Sequence, residues 1–353
     1  MDIQTEGVGS VPRPQYLIDA TGELREGRLT ADDFAAVVDR AVAETIVEMA
    51  ATGSPIISDG EQSKSSFATY PLEGLTNLAP DGVVIPFADG HTRQLPRLTA
   101  GPFRYANYTG AYVTQARRHT ALPLKQAVIA PSALSLIYPQ DGLEGYSREQ
   151  FIEDLVGECE KDIRSAFEAG AEVVQIDFTE GRLACKLDPS RGLLRQFVDL
   201  NNAVLDRFSE AERAKIGVHT CPGGDQNSTH SADVDYAELL PDLFQMKAGR
   251  FYIQMASETD RPRVLDIIQR ERRAEQTTFI GVIDPCDTEI ETAETARDRI
   301  LEVAEHLKGE RFGTTDDCGF SPFGDDVAMA RATAFAKIKA RVEGTALAGA
   351  KVS

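Results

Sequence analysis

The sequence predicts an α/β fold of the (β/α)8 TIM-barrel class, and three observations carry that prediction. Short β-rich runs alternate with longer helical patterns along the chain, as βα units around a parallel sheet require. The 353 residues suit one barrel of about 250 residues with insertions. No G-x-G-x-x-G follows a β-rich run, so the doubly wound dinucleotide fold lacks its phosphate-binding signature.

Taken in order, the eight β-rich runs are "TEGVGS" near the start, "PIIS" at 55–58, "QAVIA" at 126–130, "EVVQID" at 172–177, "KIGVHT" at 215–220, "RFYIQM" at 250–255, "FIGVID" at 279–284 and "RFGTTD" at 311–316. Helices fill the gaps. The stretch from Thr30 to Gly53 has an N-cap threonine, apolar residues at helical spacing and a glycine stop. Similar patterns cover 148–169, 190–209, 260–273, 291–308 and 324–343. One segment breaks the rhythm: within 72–105, "ADG" separates two alternating runs, a hairpin signal. It reads as an insertion after the second strand, lying over the barrel mouth as a lid or pocket wall, while residues 1–353 otherwise form a single barrel.

Composition narrows the function. With 42% hydrophobic and 26% charged residues, and no apolar run near the roughly 20 residues of a membrane span, the chain reads as soluble. The first residues lack a basic segment followed by an apolar stretch, so a cytoplasmic location is expected. A net charge of -19 without a Lys/Arg stripe argues against nucleic acid as a partner. Five widely spaced cysteines fit reduced thiols and metal ligation better than a disulfide framework. The expected partners are a small-molecule thiol and an alkyl donor, with a homo-oligomer left open.

In such barrels the active site lies at the C-terminal ends of the strands. Those ends carry Ser10, then Asp59 and Glu61, Asp177 and Glu180, His219 and Cys221, Gln254 and Glu258, Asp284 and Cys286, and finally Asp317 and Cys318. Imidazole and thiolate are the soft ligands that hold Zn2+ tetrahedrally, and three protein ligands with an open fourth position describe a catalytic site. His219, Cys221 and Cys318 are therefore the expected zinc ligands. Cys159 and Cys185 read as helix residues, and His91, His119 and His306 as surface or packing residues. His230, in "GGDQNSTHSADVDY", lies nearer the site and reads as a pocket residue.

Five motifs in order, "GVGSVPRP", "SDGEQSKSSF", "VVQIDFTEG", "VHTC" and "TTDDCG", resemble the C-terminal catalytic zinc barrel of cobalamin-independent methionine synthase, here in stand-alone form. The resemblance implies that Val8, Gly9, Ser10, Glu61 and Asp177 bind the amino acid thiol, and that "VHTC" and "TTDDCG" supply the metal ligands. Three departures stand out. The family's glutamate ligand after the sixth strand is replaced by Gln254, assigned to substrate binding, with Glu258 one turn on. Its D-x-H after the seventh strand becomes Asp284 and Cys286, and the chain has no tryptophan on which a folate could stack.

The expected activity is transfer of an alkyl, typically methyl, group to a zinc-activated thiolate. A proton for the leaving group would come from Asp284, Cys286 or Glu180. One alternative keeps the zinc and opens an epoxide with coenzyme M, whose sulfonate would need Lys64, Arg182 or Lys186. Another is a non-catalytic zinc-binding barrel, closed by a fourth ligand such as Cys286 or Glu258.

Overall fold

Among residues 3–307 and 311–352, which a computed structural model describes, seven strands share one parallel sheet, and all but the short first one are buried along nearly their whole length. They are β1 (Gln4–Thr5), β2 (Lys125–Ile129), β3 (Val173–Asp177), β4 (Ile216–Thr220), β5 (Arg250–Ile253), β6 (Thr277–Ile283) and β7 (Phe312–Asp316). Their order is β1-β7-β6-β5-β4-β3-β2, so from β2 to β7 sequence neighbours are sheet neighbours, and the first strand pairs with the last rather than with β2. The sheet curls into a TIM-barrel-like wall with helices outside it.

The run expected at 55–58 contributes a single parallel bridge, Ile57 to Leu124, rather than a strand. Ser58 explains the shortening: its hydroxyl donates to the Gly9 carbonyl at 2.7 Å, and Val11 N donates to Gly60 O at 3.1 Å. Side-chain and loop hydrogen bonds thus replace a ladder along this seam. The first strand likewise stops at Thr5, ahead of the two glycines of "EGVG".

Helices follow the expected caps. Thr30 accepts from Asp33 N and starts Ala31–Ala51, whose buried Val38, Val42, Thr45 and Met49 form one stripe against the sheet. Ser147 and Gln150 form a reciprocal capping box on Arg148–Glu168. Gly192–Leu205, Arg261–Glu271 and Ala293–His306 match their predicted segments; residue 308, predicted as the end of the last of these, lies outside the described residues. The final helix runs Arg331–Gly349 and begins later than the predicted 324. Residues before it are held as a loop, with Gly324 N on Ser65 O and Ala328 N on the Asp326 carboxylate.

Between residues 78 and 98 two short antiparallel ribbons pair Leu78–Ala79 with Arg97–Leu98 and Val84–Pro86 with Thr92–Gln94. The second is clasped to the loop after β4. Arg93 Nε donates to Asp225 at 2.5 Å, its other nitrogens reach Asp325 at 2.9–3.0 Å, and Ala88 N donates to Thr229 O at 3.0 Å. Deeper in the sheet interior, Glu6 accepts from Tyr252 and Arg250, both at 2.5 Å. Lys125 Nζ lies 3.2 Å from the Tyr252 ring centroid, and burial pushes its ammonium down to about 7.

Candidate metal centre and its cavity

Side chains alternate along a strand, so His219 in β4 and Cys221 just beyond it face the same way. Cys318, two residues past β7, meets them from across the mouth. One ligand atom from each of the three lies within 4.8 Å of the others, and all three residues are buried. The two sulfurs are 3.3 Å apart. Neither ring nitrogen of His219 has a hydrogen-bond partner among the described residues, although both are buried. A buried imidazole without partners is costly, and beside two thiols it fits the donor set of a soft cation. Contact with the Cys221 thiol, with burial next, holds the Cys318 thiol well above its usual range; a cation bound by both sulfurs would reverse that.

Local sequence explains the convergence. The turn Cys221-Pro222-Gly223-Gly224 returns Gly223 N to the Cys221 sulfur at 3.3 Å. Gly223 has φ +73, and any Cβ there would overlap the His230 ring. A Cβ on Gly224 would touch both Cys286 and Cys318, at 3.6 and 3.7 Å. Asp317 anchors the chain before Cys318: its carboxylate accepts the N–H groups of Met255, Ala256 and Ser257, each at 2.8 Å. It reaches them through the space left by Gly281, beside a register shift in β6.

A small cavity opens onto this cluster, and Val8, Ser10, Glu61, Asp177, His219 and Cys318 line it. Glu61 sits at φ 58, a left-handed conformation held by the Asp59 carboxylate, which accepts from Glu61 N at 2.9 Å. Its own carboxylate pairs with buried Lys64 at 2.9 Å. Asp177 accepts from Gln175 at 2.7 Å, and burial raises its carboxyl to about 6, partly offset by His219. Gly9 does not line this cavity; it borders a neighbouring small space beside the Ile57 seam.

The remaining predicted residues fall elsewhere. Gln254, Asp284 and Cys286 line a second space that shares Gly224 and Cys318 with the first. Gln254 is committed to Arg182 and Ser257, both at 2.6 Å, and Glu258 pairs with Arg182 at 3.0 Å. Neither joins the ligand cluster, and nor does Cys286, whose thiol is pushed up by burial. Asp284 accepts from Cys286 N at 2.9 Å, and its carboxyl is raised by burial. Glu180 lines neither space: Ser132 donates to one oxygen, the other has no partner, and burial raises the carboxyl to about 7. Lys64 is paired with Glu61, Arg182 with Glu258 and Lys186 with Asp233, so the three bases considered for a sulfonate are already paired.

Sequence reasoning missed two arginines. Buried Arg13 donates to the carbonyls of Glu61 (2.7 Å), Lys64 (2.9 Å) and Ser321, tying three mouth loops together. Arg93 holds the ribbon that brings Ile85 and Phe87 to the cavity wall. Arg13 lies inside "GVGSVPRP" and could have been flagged there; Arg93 pairs with a residue 132 positions away and left no local signal.

A barrel-like parallel sheet with a buried imidazole and two thiols converging at its strand ends defines an α/β protein with a candidate soft-metal centre. The chain belongs to the family described as cobalamin-independent synthase, catalytic domain, whose pattern matches residues 3–337. The methionine synthase of Saccharolobus islandicus strain Y.G.57.14 / Yellowstone #1 is 22% identical over 345 residues, covering 97% of this chain and 94% of that protein. The methionine synthase of Saccharolobus solfataricus is 19% identical with the same coverage. Among solved structures, a B12-independent methionine synthase from Shewanella sp. W3-18-1 in complex with selenomethionine superposes with a TM-score of 0.77 at 17% identity, covering 100% of this chain and 99% of that one. A putative vitamin-B12 independent methionine synthase from Listeria monocytogenes gives 0.73 at 19%, covering 97% and 96%. These two likenesses establish the shared fold. No helix among the described residues is long and apolar enough to cross a membrane.

Proposed function

We propose that this protein transfers a methyl group to the sulfur of a homocysteine-type thiol in a zinc-dependent reaction. The observation that carries the reading is the unpartnered, buried His219 imidazole beside the two cysteine sulfurs, at the wall of a cavity that also presents Glu61 and Asp177. His219, Cys221 and Cys318 would hold the Zn2+. When bound, the metal supplies a Lewis-acidic position that lowers a thiol's pKa and keeps the sulfur anionic.

The protein's own groups bind and orient. Glu61 and Asp177 offer carboxylates to a substrate ammonium, and Val8 and Ser10 close the same wall. Lys64 balances Glu61 before substrate arrives, so the site does not present two bare buried carboxylates. The second space, with Asp284, Cys286 and Gln254, approaches Cys318 from the other side and offers room for the alkyl donor. The segment 72–105 acts as an inserted wall over the mouth, contributing Ile85, Phe87 and Arg93.

Two other readings find less support. A sulfonate substrate would have to displace carboxylates from Lys64, Arg182 or Lys186. A closed four-ligand site would need Glu258 to leave Arg182, or Cys286 to move into the cluster. The test is methionine formation from homocysteine and 5-methyltetrahydrofolate by zinc-loaded protein, followed by mass spectrometry. Zinc-dependent product is expected; failure of zinc-loaded protein to bind homocysteine would overturn the reading.

A further inference from the structure

One buried histidine in the cavity wall has no role in the scheme above. His230 lies on the loop after β4, is 8% exposed and lines the same cavity as His219 and Cys318. Its Nδ1 lies 2.6 Å from the hydroxyl of fully buried Ser231. Among the described residues its Nε2 has no hydrogen-bond partner. That nitrogen points at Gly223, where only the absence of a side chain makes room, and Gly223 N in turn donates to the Cys221 sulfur at 3.3 Å. Phe87 packs edge-on against the ring, with centroids 5.5 Å apart, so one edge is braced by the inserted ribbon. A ring gripped at Nδ1, braced on its side and without a hydrogen-bond partner at Nε2, in the cavity that His219 and Cys318 also line, can exchange a proton there.

We propose that His230 Nε2 accepts the proton displaced when the substrate thiol becomes a thiolate, and returns it to the atom that loses the methyl group. The inference rests on the proposed thiol chemistry. The steps balance: the S–H proton passes to Nε2; the thiolate forms an S–C bond as the donor's bond to methyl carbon breaks; the leaving atom keeps that electron pair and takes the proton from the imidazolium. In the tautomer that donates Nδ1–H to the Ser231 hydroxyl, the Nε2 lone pair is free for the first step. The groups around the ring favour this starting state. Burial, Lys186, whose ammonium donates to the His230 carbonyl at 3.2 Å, and Arg182 push the free imidazole down to about 4, against a smaller pull from Asp233. The ring is therefore neutral when the thiol arrives, and the new anionic sulfur is the counter-charge that lets it hold the proton.

Calorimetric titration of zinc-loaded protein with homocysteine at pH 7, in buffers of different ionisation enthalpy, counts the protons released per thiol bound. A free thiol is largely protonated at this pH, so its capture as thiolate must displace roughly one proton. Wild type is expected to release close to none, and His230→Gln close to one, with equal zinc content. Equal release from both proteins would overturn the inference while leaving the thiol reading intact, since binding would still be seen. No binding heat in zinc-loaded wild type would instead remove the thiol reading. If His230→Gln does not fold or bind, Ser231→Ala carries the test: loss of the Nδ1 anchor should raise proton release, and an unchanged count overturns the proposal.

Discussion

The two sides of the cavity mouth treat their polar groups differently. At the 59–64 loop and the end of β3, the carboxylates that line the cavity already have partners: Glu61 has Lys64 and Asp177 has Gln175. On the side of β4 and β7, His219 has none at either nitrogen, and the two sulfurs have chiefly each other. Buried polar atoms are normally satisfied, so under the proposed function the partnered carboxylates would exchange those partners for an organic solute, and the unpartnered imidazole beside two sulfurs would take a cation.

The largest effect should come from the incomplete side. Cys221→Ser or Cys318→Ser should weaken zinc binding by more than about 100-fold, beyond what loss of an outer-shell partner costs, while circular dichroism stays unchanged. Chelator competition measures it, and retained affinity in both variants would erase the contrast. On the satisfied side, Glu61→Gln strands the Lys64 ammonium in the interior and should cost about 3–5 kcal/mol in urea unfolding. Adding Lys64→Met should recover part of that loss; no recovery would mean that the pair is not the source of the cost.

Glu180 gives a pH-dependent version of the same distinction. Its carboxyl is raised from 4.5 to about 7, so the native state holds a proton that the unfolded chain has already released. Stability should therefore fall as pH rises from 4.5 through 7, then level off, with a total loss on the order of 3 kcal/mol. Glu180→Gln should match wild type near pH 4.5 and exceed it at pH 8; parallel curves would show that this proton is not coupled to folding.

What the sequence disclosed follows the same physics. The β-rich runs were legible because strands buried on both faces are apolar throughout, and the ligand trio because soft donors at strand ends are uncommon. "PIIS" misled because its apolar residues do pack, with Ile57 in the core, while Ser58 takes the hydrogen bond that would have extended a ladder. The helices Pro131–Leu134 and Glu180–Leu187 were too short to show a period. Gln254 was placed on the substrate from its position after the sixth strand, where the family has a glutamate. Its commitment to Arg182, 72 residues away, is a tertiary fact.

Smaller effects sharpen the picture at the rim. Arg93→Ala leaves the buried Asp225 carboxylate with His91 alone and should loosen the ribbon by about 1–3 kcal/mol. Faster hydrogen exchange within 84–94, with the β4 amides unchanged, would confirm that this wall moves independently of the metal side. Thr30→Ala, remote from both sides, should cost only about 1 kcal/mol through loss of a helix cap, leaving zinc and thiol binding intact.

Zinc-edge X-ray absorption of the loaded protein, before and after homocysteine, tests the central claim most directly. The account predicts one nitrogen and two sulfurs from His219, Cys221 and Cys318 at the start, and a third sulfur once the thiol is added. An unchanged sulfur count, or a first shell without both cysteines, would contradict it.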